Sequence, residues 1–225
     1  VSGDAPAARR SLPVRIFVAV AAALALLLLG AALGLLIRVP SFDRAEPQPT
    51  AVDIGFAQDM TMHHQQAVTM ATLARERATD VAVRQLAFDI ETNQRDQIGR
   101  MQGWLSLWGQ PAQATGPLMQ WMTPDGGHDH NAAATGAPSG GLMPGMATSA
   151  EMSRLQSLRG PEFDVYFLQL MLRHHQGGAE MAEYASVHAA LPAVRELAKN
   201  ILGSQSNEST LMRTMLTERG AQPLG

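Results

Sequence analysis

The phrase FAQDMTMHHQQAVTMATLA from Phe56 returns as FLQLMLRHHQGGAEMAEYA from Phe167, and the match continues without a gap for more than fifty residues. At an offset of 111, as from His63 to His174, Asp53 falls on Asp164, Met60 on Met171, His64 on His175 and Met70 on Met181. The register holds further on, with Gln94 on Gln205, Met101 on Met212 and Gly109 on Gly220. This internal duplication constrains the fold. In the first copy Phe56, Met60, His63, Ala67, Met70 and Ala74 recur at the 3-4-3-4 interval of one helix face. A hairpin of two such helices buries one face only. Two hairpins are therefore expected to close on each other as an all-α, antiparallel four-helix bundle with a pseudo-twofold axis.

Local signals set the boundaries. Thr50 and Asp53 have capping-box spacing and predict a helix that ends near Ala78. Thr79-Asp80 then opens a second helix to about Trp108, before Gly109 and Pro111. In the second copy Gly160-Pro161 starts a helix, and Pro192 starts the next, which ends at Gly220. The bundle so defined covers 50–220. Its connection, 110–160, is rich in Gly, Pro, Ala and Met, and Glu151 to Leu158 is expected to form a short helix. Asp89, Glu91 and Asp96 read as a solvated face, and Trp104, Trp108 and Trp121 as packing residues.

Ahead of the bundle, Ile16 to Ile37 carries no charge. As a helix it is about 33 Å long, enough for a hydrocarbon layer of about 30 Å. Arg9, Arg10 and Arg15 precede it, which predicts a single-pass anchor with residues 1–15 cytoplasmic, 16–37 in the membrane, 38–49 as a linker and the bundle outside the cell membrane. A cleaved signal peptide is the competing reading, but its apolar stretch is usually about 7 to 15 residues. The net charge of -3 excludes an electrostatic case for nucleic acid.

The duplicated residues that are not plain core are imidazoles and thioethers. At about 100° per residue, His63 and Met70 lie within about 20° of each other around the helix, with Met60 about 60° away and His64 about 40° from Met60. Met171, His174, His175 and Met181 repeat the arrangement. Neighbouring copies would bring four imidazoles and four thioethers together at a candidate metal site. The bland alternative is that the methionines fill the core and each histidine pair has one buried and one solvent-facing member. Keeping both histidines in both copies argues against it, because a buried imidazole needs a partner. The chain has 13 methionines and no cysteine. Imidazole with thioether and no thiolate favours copper, especially Cu(I), while zinc stays open through histidine alone. The Glu-x-x-His motif of di-iron bundles is absent, as are a nucleophile arrangement, a phosphate loop and a haem-attachment pair. Binding without turnover is thus favoured over catalysis. His128 and His130, beside Asp125 and Asp129, form a second candidate cluster, and Met143-Pro-Gly-Met146 a docking element over the bundle.

The set of Met146, Gly160, Asp164, Phe167, Met171, His174-His175-Gln176-Gly177 and Met181-Ala182, with a weaker copy at Phe56 to Ala71, resembles the domain-of-unknown-function 305 family. The resemblance spans roughly residues 50 to 220. It implies a ferritin-like four-helix bundle associated with copper binding and copper tolerance in the bacterial periplasm or at the cell surface. It implies His63, His64, Met60, Met70, His174, His175, Met171 and Met181 as the metal positions. Two departures stand out: Gln66-Ala67 faces Gly177-Gly178 across the offset, and Met62 faces Arg173. The reading reached is copper buffering, tolerance or delivery. An accessory subunit of a membrane protein complex with structural histidines, or a metal-dependent oxidoreductase, are the alternatives left open.

Overall fold

A computed structural model describes residues 11–36, 47–122 and 141–224. The described residues are helical, without strands, and the chain divides into two compact units, 1–46 and 47–225. In the first unit, α1 (Leu12–Leu36) begins four residues before the expected Ile16, with Pro13 in its first turn, where a missing N–H costs nothing. From Leu12 to Gly34 its mean hydropathy is 2.8, and it is long and apolar enough to cross a membrane. The cation pair Arg9 and Arg10, the stretch 38–46 and the cluster around His128 and His130 lie outside the described residues.

The second unit holds α2 (Ala51–Arg77), α3 (Val81–Leu107), a one-turn 3-10 helix (Gln120–Met122), α4 (Ser149–Ser157), α5 (Gly160–His188) and α6 (Pro192–Glu218). Helix α2 packs along α3, α5 packs along α6, and the two hairpins meet where α2 lies against α5. Helix ends follow the sequence signals closely. Asp80 accepts from Ala82 N–H at 2.7 Å to start α3, and Thr148 with Glu151 forms a capping box on α4.

Two aspartates tie one hairpin to the other. Asp53, in the first turn of α2, accepts from the backbone N–H of Ala190 at 3.2 Å and of Leu191 at 2.9 Å, just before α6. Asp164, near the start of α5, accepts from Thr79 N–H at 3.1 Å and Asp80 N–H at 3.0 Å, just before α3. Every partner in one set stands 111 residues from its counterpart in the other, so the exchange is reciprocal. Arg84 and Arg195 complete the corners, donating to the carbonyls of Ala78 and Thr79 and of Ala189 and Ala190. Asp53 was expected only as a cap; it does that too, accepting from Thr50 N–H at 2.8 Å.

The apolar core comes in two halves. One gathers Met70 and Ala74 of α2, Leu86 and Ile90 of α3, Phe163, Phe167 and Met171 of α5, and Met212 and Leu216 of α6. The other gathers Phe56 and Met60 of α2, Met101 and Leu105 of α3, Met181 and Ala185 of α5, and Val194 and Ile201 of α6. On each helix the change from one half to the other occurs at buried polar residues: His63 and His64, Gln94 and Gln97, His174 and His175, Gln205 and Ser209. A polar layer therefore crosses the core.

Glu91 departs from the sequence reading. It is 6% exposed rather than on a solvated face, because Arg75 of α2 and Arg95 of α3 pair with its two oxygens at 2.9 and 2.8 Å. Asp89 and Asp96 are exposed as expected. Trp121 is buried and donates its indole N–H to Asp59 at 2.8 Å, which seats the 3-10 turn on α2, while Trp104 and Trp108 stack at 6.1 Å, partly buried.

Each aspartate bridge carries two charge-assisted hydrogen bonds from partly buried backbone N–H groups at a helix start. Replacing Asp53 or Asp164 by Ala is expected to cost about 2 to 4 kcal/mol in chemical denaturation, since each change strands two N–H donors. Similar losses at both positions support reciprocal bridging; a loss below about 0.5 kcal/mol at either would contradict it.

Candidate metal centre

The four histidines all lie in the polar layer and all are buried, at 0 or 1% exposure. The solvent-facing member expected by the bland reading is absent from both pairs. Helix phase explains this: His63 lies on the α2–α5 seam, and His64, one step round, faces α3. The rings of His63 and His174 pack against each other across the seam, tilted by 37° with centroids 3.8 Å apart, and each is 6.5 Å from its own neighbour, His64 or His175.

Each ring uses Nε2 for a hydrogen bond to oxygen. His63 donates to Pro144 O at 3.1 Å and His174 to His63 O at 3.0 Å. His64 donates to Gln97 Oε1 at 2.7 Å, and His175 faces Glu208 Oε2 at 2.6 Å. Carbonyl and carboxylate oxygens only accept, so each Nε2 carries a proton, and burial keeps His63, His64 and His174 neutral, with the lone pair on Nδ1. All four Nδ1 atoms are buried without a partner, and so are both polar atoms of the Gln94 and Gln205 carboxamides. A metal-ligating histidine shows the same division of labour, one nitrogen donating to a carbonyl or carboxylate and the other free to coordinate. The donor set thus fits a metal that takes imidazole.

The thioethers are divided by the layer. Met60 and Met181 sit in one apolar half and Met70 and Met171 in the other, all fully buried. They flank the imidazoles from both sides and do not form one eight-member cluster. Among the described residues no group of three or more His, Cys, Asp or Glu is placed to hold a metal ion.

Both sequence departures have a local cause. The segment Met143–Ala147 lies across α2 and α5 as a strap, with Met143 buried. A Cβ on Gly177 would come within 2.1 Å of Pro144 O, and Gly145, at φ 77°, sits against the α5 backbone at Arg173 and His174. Gln66 opposite holds Ala147 by both edges, accepting its N–H at 2.7 Å and donating to its carbonyl at 2.9 Å. Gly177 is the seat and Gln66 the clasp. Arg173, which faces Met62 across the offset, takes Glu151 of α4 in a two-point ion pair at 2.8 Å and holds that carboxyl down to about 2. The docking role expected of Met143–Met146 is therefore realised: Met143 and Met146 pack in one core half and Ala147 in the other, so the strap crosses the layer.

Sequence reasoning missed Gln97 and Glu208 as histidine partners and Gln94 and Gln205 as layer members. The signal was there: Ile90, Gln94, Gln97 and Met101 continue one buried stripe of α3, which puts carboxamides where apolar residues belong.

Burial lowers His63 from 6.5 to about 4 and His64 to about 3, and holds His174 well below 6.5; neighbouring rings push the latter two further down. In the unfolded chain these rings take up protons below 6.5, where the folded state does not, so stability falls as pH falls from about 6.5 toward 4. The urea midpoint of the metal-free chain is expected to drop through that window, and His64→Gln to flatten the slope. A midpoint that stays level between pH 7 and 5 would contradict burial of neutral imidazoles.

The family model for the domain of unknown function DUF305 matches residues 53–216. A DUF305 protein from Streptomyces coelicolor, described as a secreted protein, is 42% identical over 77% of this chain and 97% of its own, with a TM-score of 0.68. A DUF305 fragment from Deinococcus radiodurans is 32% identical over 76% of this chain and 99% of its own, with a TM-score of 0.62. CopM in its Cu(I)-bound form shares the fold, with a TM-score of 0.55 and 24% identity over 74% of this chain and 96% of its own. CopM has also been solved in Cu(II)-bound and Ag-bound forms. No curated protein matches this chain. With more than half of its length covered by the family model, the chain belongs to the DUF305 family.

Proposed function

We propose that this chain is a membrane-anchored, extracytoplasmic protein that binds copper, chiefly Cu(I), for buffering, tolerance or delivery. The observation that carries the reading is the layer of four buried imidazoles, each with Nε2 committed to an oxygen and Nδ1 without a partner. A buried polar nitrogen left unmatched costs about 1 to 3 kcal/mol, so four of them in one layer are costly unless something binds there. His63, His64, His174 and His175 supply nitrogen, and Met60, Met70, Met171 and Met181 supply soft sulfur from either side. The copper-bound forms of CopM, a protein of the same fold, support copper over zinc.

The architecture proposed with it is a ferritin-like, antiparallel four-helix bundle, 50–220, that arose by duplication of a helical hairpin. The reciprocal aspartate bridges and the partner pairs at one constant offset support it. Residues 1–15, 16–37 and 38–49 are assigned as cytoplasmic segment, membrane anchor and linker.

A second reading has its own support. Each Nε2 bond already ties two elements together, and that alone suits a structural layer in an accessory subunit of a membrane complex. A titration separates the two. The full chain in detergent, loaded with Cu(I) against a competing chelator, is expected to bind copper, and joint replacement of His63 and His174 by Gln to weaken binding at least about tenfold. Met60→Leu with Met171→Leu, which nearly conserves volume, is expected to weaken Cu(I) more than Cu(II). Undiminished affinity in the histidine variant would leave the structural reading in its place.

Topology is tested on cells. Protease added to spheroplasts is expected to digest the bundle and leave a small membrane-bound N-terminal fragment. Full protection would reverse the assigned orientation, and release of an intact bundle without protease would replace the anchor by a cleaved signal peptide.

A further inference from the structure

The two histidines that face the outer helices have chemically different partners. His64 donates its Nε2–H to the carboxamide oxygen of Gln97 at 2.7 Å, and His175 faces the carboxylate of Glu208 at 2.6 Å. Each partner stands 33 residues after its histidine, on α3 in one case and α6 in the other, and both rings are buried. Position and distance are nearly constant while one group changes, a neutral amide for an anion.

That change alters the imidazole. A hydrogen bond to a carboxylate is charge-assisted and roughly twice as strong as one to a neutral oxygen. It draws the Nε2 proton outward and leaves Nδ1 more electron-rich, the effect by which a carboxylate behind a histidine raises its strength as a ligand. An electron-rich nitrogen favours the metal ion of higher charge. The Glu208 side chain is 14% exposed, so its negative charge is only weakly screened by solvent.

Resting on the copper reading above, we propose that Glu208 determines which oxidation state the layer prefers. Through His175 it creates a donor suited to Cu(II), while Gln97 leaves His64 as the donor suited to Cu(I). Glu208 acts through the ring and does not itself touch the metal. The layer is then two unequal half-sites, one for each charge.

The partners can be exchanged with almost no change in shape. Glu208→Gln gives His175 the partner that His64 has, and Gln97→Glu does the reverse. In the full copper-loaded chain in detergent, E208Q is expected to lower Cu(II) affinity relative to Cu(I) at least about tenfold, which raises the midpoint potential by about 59 mV per tenfold. Q97E is expected to lower the midpoint. A merely structural partner would leave both midpoints where they are, and that result overturns the proposal. A metal-free readout stands beside it: the Nε2–H proton resonance of His175 should move upfield in E208Q and that of His64 downfield in Q97E. Resonances that stay in place would also overturn it. A wild-type chain that binds neither form of copper removes the copper reading and this inference together, whereas bound copper with unmoved midpoints removes this inference alone.

Discussion

Everything distinctive in this molecule depends on keeping a polar layer inside an apolar core. Imidazoles and carboxamides lose water when buried, and each must recover hydrogen bonds or cost free energy. Four Nε2 bonds recover part of that loss, and they do so with oxygens on other elements: the strap, α2, α3 and α6. The same bonds fix the rings so that the remaining nitrogen, Nδ1, has nothing to bind. An arrangement built only for stability would have filled these positions with apolar side chains, as the two core halves on either side do.

The second governing feature is near-symmetry with local exceptions. Asp53 and Asp164 bridge the hairpins in mirror fashion, and Gln97 and Glu208 hold equivalent histidines. Among the described residues the strap has no counterpart, and its demands explain why Gly177 stands where the other half has Gln66. His63 is tied to an irregular segment and His174 to a helix backbone, so equivalent histidines meet different surroundings. Such breaks in near-symmetry give equivalent positions different chemistry.

Much of this was legible in the residues. The helix ends followed from Thr50, Asp80, Pro161 and Pro192, whose side chains act locally, and the histidine stripe followed from helical phase. The bridging role of Asp53 was not, because its partners at Ala190 and Leu191 are distant in sequence and are backbone atoms, which carry no residue signature. Glu91 was misread for a related reason: a carboxylate on a helix reads as solvated until the arginines of two helices are seen to cover it. The convergence of eight ligands was likewise too simple. Antiparallel packing of α2 on α5 brings the histidines level but sends Met60 and Met171 to opposite sides of them.

The central claim is that Nδ1 of the buried imidazoles is the coordinating atom. It is tested most directly by nitrogen-15 NMR of the histidine-labelled chain before and after addition of Cu(I), which is diamagnetic and leaves the signals observable. The account predicts that the Nδ1 resonances of His63, His64, His174 and His175 shift while the Nε2 resonances keep their directly bonded protons. Copper bound with all four Nδ1 resonances unmoved, or with the Nε2 protons displaced instead, would contradict it.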